Sequence, residues 1–124
     1  MKTISRIAIG FIAIFLIVGF SSRFNILVED LNSGQPCFKL DGGQVELNSF
    51  LVVEKREGKW DYKHPLWAFE LKPGSALRVK QFNYGAVPSG FLETTTAKQL
   101  LSGVPYLAVG AGPGSAGSSE FIRP

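Results

Sequence analysis

The run Gly112-Pro113-Gly114-Ser115-Ala116-Gly117 places glycines at the spacing of a dinucleotide-binding turn and follows an apolar stretch, so pyrophosphate binding is the first chemistry to weigh. Such a turn works by aiming the N-terminus of a helix at the phosphates, with an acidic residue for the ribose about 20 positions further on. Only Ser118 to Pro124 follow, too few residues for the helix, the next strand and the acid. The run is therefore expected to be a mobile hairpin loop, bare of bulky side chains.

His64 is the only histidine and Cys37 the only cysteine. A metal site or a histidine-based proton relay needs more nitrogen and sulfur ligands than that pair offers. No G-x-S-x-G elbow occurs, so the scattered Ser, His and Asp residues do not read as a triad. Asp61 and Glu70 fall on neighbouring expected strands and are the carboxylate pair to consider for glycoside hydrolysis, against the simpler account of two surface carboxylates on a half-wet sheet. No constellation meets the geometric demands of catalysis. The sequence assigns no catalytic residue, no cofactor and no metal ligand, and reads as a non-enzyme.

Recognition is the remaining chemistry, and here the aromatic residues carry the signal: Trp60, Tyr62, Trp67, Phe69, Phe82 and Tyr84 all fall on the middle strands. Trp67 and Phe69 share a face with Leu71 and are expected inward. If Phe82 and Tyr84 share the outward face of Arg78 and Lys80, the four residues Arg78, Lys80, Phe82 and Tyr84 form a mixed aromatic and basic strip suited to a protein or glycan partner. Basic stems lying over an aromatic surface are the simpler account.

The elements that must position these residues are strands. Short apolar runs are broken by glycine, proline and asparagine at fairly regular intervals. Phe24 to Val28 is the first, closed by Asn32-Ser33-Gly34; Cys37 to Leu40 is the second, turned by Asp41-Gly42-Gly43 into a third at Val45, where Val45 and Leu47 alternate with Glu46 and Asn48. Phe50 to Val53 is continuously apolar, as in a central strand covered on both sides or bending between sheets. Glu57-Gly58 turns the chain into Lys59 to Tyr62, and Leu66 to Leu71 is followed by a type II turn at Lys72-Pro73-Gly74, from which Leu77 to Phe82 is expected to pair back as a hairpin. Asn83 to Thr96 reads as irregular, Ala97 to Leu101 as one helical turn, Val104 to Val109 as a strand, and Ser119 to Ile122 as the closing strand. Seven or eight short strands predict an antiparallel immunoglobulin-like β-sandwich spanning residues 22–124 as a single domain, with a small closed barrel as the alternative. The spacing Leu100, Gly103, Tyr106 and Val109 suits a corner in which a tyrosine hydroxyl ties back to the preceding connection.

Residues 1–21 set the compartment. Lys2 and Arg6 precede Ile7 to Phe20, 14 residues without a charged or amide side chain, and Gly19 and Ser21 supply a small-residue exit before Ser22. This is the build of a signal peptide. The alternative is an uncleaved anchor, for which the stretch is short of the ~20 residues that span a bilayer. Either way the positive-inside rule sends the rest out of the cytoplasm. Removing Lys2 and Arg6 leaves 11 basic against 10 acidic side chains, from 13 and 10 in the whole chain, and Glu54, Lys55, Arg56, Glu57 and Lys59 mix both signs. Nucleic acid is thus an unsuitable partner. One cysteine allows no internal disulfide, so the core must hold by packing, with Cys37 a buried thiol beside Phe38.

Tyr84-Gly85-x-x-Pro88-x-Gly90-Phe91, followed by the Leu100, Gly103 and Tyr106 spacing, is similar to uncharacterised small exported proteins of Gram-negative bacteria. The resemblance covers about the last third of the chain. It implies a periplasmic or envelope-associated β domain and brings no catalytic residues. The function expected is that of an exported binding or accessory domain of the cell envelope whose ligand is an unknown protein or glycan, touching the membrane only through residues 1–21 if they are retained. Two alternatives stand beside it: a small inhibitor presenting the Asn83 to Gly90 loop to a periplasmic hydrolase, and a membrane-tethered structural component.

Overall fold

The computed structural model describes residues 22–41, 45–75 and 77–124; the leader and the glycines of the turn expected at Asp41-Gly42-Gly43 lie outside them. The described chain is all β, with no helix. Its strands are β1 Ser22–Arg23, β2 Asn25–Glu29, β3 Cys37–Asp41, β4 Val45–Glu46, β5 Ser49–Arg56, β6 Lys59–Trp60, β7 Trp67–Leu71, β8 Arg78–Val79, β9 Gln81–Asn83, β10 Phe91–Thr95, β11 Pro105–Gly112 and β12 Ser115–Ile122. A large sheet runs in the order β1-β12-β11-β5-β7-β10 with β6 paired to β5, a small sheet runs β2-β3-β9, and β4 pairs β8. Every pairing is antiparallel except β1 with β12.

The centre of the large sheet follows from composition. In β5 the run Phe50-Leu51-Val52-Val53 is rich in β-formers, and β11 and β7 pair along its two sides. This is the central position expected for that run. Glu57 and Gly58 both take positive φ, 56° and 80°, the backbone of a two-residue hairpin turn whose twist matches its strands. The return strand is correspondingly brief, ending at Trp60.

The two layers meet through aromatic rings. Phe50 of the large sheet lies 5.1 Å from Phe38 and 4.7 Å from Phe82, both of the small sheet. Trp67 and Phe69 also reach Phe82, at 6.0 and 5.3 Å, and Phe121 reaches Phe38 at 5.6 Å. These tilted and edge-on contacts add to what burial alone supplies. The chain changes layer where its backbone bonds to both: Leu47 donates to Leu77 and its neighbour Asn48 to Ala111, while Phe24, between β1 and β2, donates to Ala116.

Those crossings explain the glycine run. It is a β-hairpin, as expected, but only Pro113 and Gly114 stand outside the ladder, because Gly112 pairs Ser115 and β12 already begins there. A Cβ on Gly112 would lie 1.9 Å from the Glu46 carbonyl oxygen, and one on Gly117 2.4 Å from that of Phe24. The glycines let the layer-changing segments press onto the large sheet.

Three local expectations are corrected. The Lys72–Ser75 turn forms, with Ser75 donating to Lys72 and Gly74 at φ 82°, but the strand after it does not pair with β7. Leu77 to Asn83 crosses to the other layer, where β8 meets β4 and β9 meets β3, and β10 takes the place beside β7. A turn signal fixes the reversal of the chain and leaves open which strand becomes the neighbour. The stretch expected to be irregular accordingly contains β10, whose Thr94 and Thr95 suit a strand. Ala97 to Leu101 is not helical: Lys98 donates to Leu66 and its carbonyl accepts from Tyr84, while Leu101 donates to Tyr106, so backbone groups that a helix would pair internally are engaged across the fold.

Candidate binding surface

The strip of Arg78, Lys80, Phe82 and Tyr84 does not form. Arg78 and Lys80 are exposed, whereas Phe82 and Tyr84 are 7% and 3% exposed and belong to the core. The alternation slips between β8 and β9, where Lys80 and Gln81 are consecutive exposed residues. Residues of the same parity on either side of that break therefore face opposite ways. Arg78 pairs with Glu46 at 3.6 Å in the open. Tyr84 donates its hydroxyl to the Lys98 carbonyl at 2.6 Å, and burial pushes its phenol far above the ordinary range.

The other residues singled out above are also dispersed. Asp61 follows β6, with its carboxylate 3.2 Å from Arg56 Nε and 3.0 Å from His64 Nδ1. Burial opposes its ionisation, but the hydrogen bond and charge of His64, the charge of Arg56 and the Lys63 N–H together hold the carboxyl below the usual range. Glu70 sits on β7 opposite Ser49 and Leu92, so the side chains beside Asp61 are Arg56 and His64 and not this carboxylate. Cys37 is buried in β3, and desolvation raises its thiol despite the charge of Lys39. Trp67, fully buried, donates its indole N–H to Glu93 at 2.9 Å. No cluster of three metal-ligating side chains occurs among the described residues.

What the register does bring together is the outer face of the large sheet. On β11, Tyr106, Ala108, Gly110 and Gly112 are buried toward the core, and Leu107, Val109 and Ala111 alternate with them on the other side, half-buried. Cross-strand pairing extends that side. Val109 lies between Leu51 of β5 and Ser118 of β12, Leu107 between Val53 and Glu120, and Ala111 between Ser49 and Ala116. Leu51 in turn opposes Ala68 of β7. Leu92, 52% exposed, and Ile122, 48% exposed, mark two margins of the same face. Only Val53 and Ala68 are buried there.

An antiparallel sheet with one wet face ordinarily alternates apolar and polar residues. Here β11 is apolar on both faces, and β5 is so from Phe50 to Val53. This apolar outer face is the candidate binding surface among the described residues. Besides the neutral Ser49 and Ser118, and Lys55 at its far end, this face carries two acidic residues: Glu70 and Glu120 are exposed, and neither has an ion-pair or side-chain hydrogen-bond partner among the described residues. Sequence reading missed the site, although a signal was present, since no charged residue occurs from Val104 to Ser119 and Phe50 to Val53 is unbroken. Compared with known proteins, the chain matches no protein-family model and no curated protein.

Proposed function

We propose that this chain is an exported, non-enzymatic binding domain of the bacterial cell envelope, an immunoglobulin-like sandwich that holds its partner on the outer face of the large sheet. The observation that carries this reading is the half-buried row of Leu51, Leu107 and Val109 on the side of the sheet turned away from the core. Burying such side chains contributes roughly 25 cal/mol per Å² of apolar surface, a gain that the fold itself leaves incomplete. The basic start and apolar run of residues 1–21 support export, by cleavage or by anchoring.

The test is a photo-crosslinking residue placed at Leu51, Leu107 or Lys80 in the protein within its native envelope. Adducts from the first two positions and none from Lys80, on the opposite layer, are expected. Adducts from Lys80 alone, or from no position, would overturn the reading. Intact-mass measurement of the same material reports whether Ser22 is the first residue.

A further inference from the structure

We infer that the outer face of the large sheet docks one amphipathic α-helix whose apolar side is bordered by lysine or arginine, a conclusion that rests on the binding role proposed above and names its partner class. Three observations carry it: size, relief and charge.

Adjacent strands lie about 4.8 Å apart and same-face residues along a strand about 6.8 Å apart. The accessible apolar residues are Ala116 of β12, Ala111, Val109 and Leu107 of β11 and Leu51 of β5, so the patch covers roughly 10 by 14 Å, on the order of 140 Å². That is well under the ~800 Å² per partner of a stable interface between globular proteins. It matches the footprint of a single helix about 10 Å wide. In relief, Ala116, Ala111 and Ser49 form a row of small side chains beside the higher row of Val109 and Leu51, a trough into which larger side chains of a helix can seat.

Charge decides what borders that helix. Glu70 on β7 and Glu120 on β12 are exposed carboxylates with no ion-pair partner among the described residues, while Lys55, at the far end of the face, lies 5.1 Å over the Trp60 ring. An anionic membrane or nucleic acid would meet like charge here. A second copy docking through the same face would set acidic surface against acidic surface. A cationic border suits both carboxylates, and because the whole chain carries +3, attraction of a cationic helix is local to this face and not a general property of the protein.

The experiment titrates the full-length protein with a fluorescent peptide of about 18 residues, long enough to fold on a surface, built of leucine and lysine at helical spacing. Two controls are its leucine-glutamate twin and a scrambled leucine-lysine peptide with no apolar side. The expected result is binding at least about tenfold tighter than either control, with a gain of helical circular dichroism in the complex. Leu51→Asp weakens it about tenfold or more, the double change E70K and E120K by about threefold to tenfold, and Arg78→Glu not at all. Should Leu51→Asp lower the melting temperature, Val109→Ser serves in its place. Equal binding of the twin or the scrambled peptide, indifference to both face substitutions, or a dimer in sedimentation that Leu51→Asp dissolves would each overturn the inference. No peptide binding together with persistent Leu51 crosslinks sinks the helix alone. No peptide binding and no crosslinks sink the binding role with it.

Discussion

The hydroxyl of Tyr106 lies 2.7 Å from the backbone nitrogen of Leu101 and accepts its N–H. The two are five positions apart, so the contact closes the connection between β10 and β11 onto the strand it leads into, as the Leu100, Gly103 and Tyr106 spacing anticipated. Leu100, beside the tie, is buried in the core, and its carbonyl accepts from Arg123 Nη1 at 2.8 Å. One hydroxyl thus fixes a loop, and through it the position of the last strand.

Replacing Tyr106 by Phe keeps the ring, which stacks near Phe121 at 5.7 Å, and removes only the acceptor. The expected loss is about 1 kcal/mol, the usual contribution of a hydrogen bond, read as a lower urea midpoint with unchanged slope. Tyr84→Phe, which unpairs the Lys98 carbonyl, should cost about 1–3 kcal/mol because its phenol is buried and that acceptor loses its closest donor.

The parity slip after Val79 makes opposite predictions for residues two apart. Phe82→Ala removes a ring that touches Phe38, Phe50, Trp67 and Phe69 and should cost about 3–5 kcal/mol. Lys80→Ala, on the exposed side, should stay within about 0.5 kcal/mol. Equal effects in chemical denaturation would mean that the two side chains share a face after all.

Gly112 and Gly114 separate two reasons for glycine in one motif. Gly114→Ala places a Cβ at a positive φ of 70°, a backbone strain that by itself costs about 1 kcal/mol. Gly112→Ala drives a Cβ into the Glu46 carbonyl and forces the β4 crossing away from the large sheet, so a loss above about 3 kcal/mol, or failure to fold, is expected. Thermal melting of the pair distinguishes them.

The strand content was legible because period and turn chemistry are local. Val45 to Asn48 alternates as read, Glu57-Gly58 and Pro73-Gly74 turn as read, and Cys37 is buried as read. Layer assignment was not legible. It depends on Lys80 interrupting an otherwise regular alternation, and on β10 displacing the expected partner of β7; both are settled by which apolar faces can close a common core. The candidate binding face was half legible: the unbroken Phe50 to Val53 run announced a central strand, covered on both sides or bending between sheets, but only the register showed that Leu107, Val109 and Ala116 extend the same side.

Cys37 offers a direct probe of that core. Its thiol is buried and desolvation raises it, so alkylation of the native protein at pH 8 should be far slower than that of a free thiol. Labelling should accelerate through the same denaturant range as the unfolding transition. Fast labelling in the native state would place Cys37 at a surface.

The acid limb of stability should report Asp61. Burial works against its charge, but His64, Arg56 and the Lys63 N–H outweigh it, so the folded-state pKa lies below the ordinary 3.8. A depressed carboxylate pKa stabilises the fold above the unfolded value and loses that contribution as pH falls through the folded one. The effect is therefore full above about pH 5 and gone once the folded carboxyl is protonated. Because Arg56 and His64 are mostly exposed, its size is small, about 0.2–1 kcal/mol. Asp61→Asn should lower stability at pH 7 by that amount, flatten the decline between pH 5 and the acid transition, and converge with the parent protein at the lowest pH. Parallel stability curves across that window would show that Asp61 is not held by Arg56 and His64.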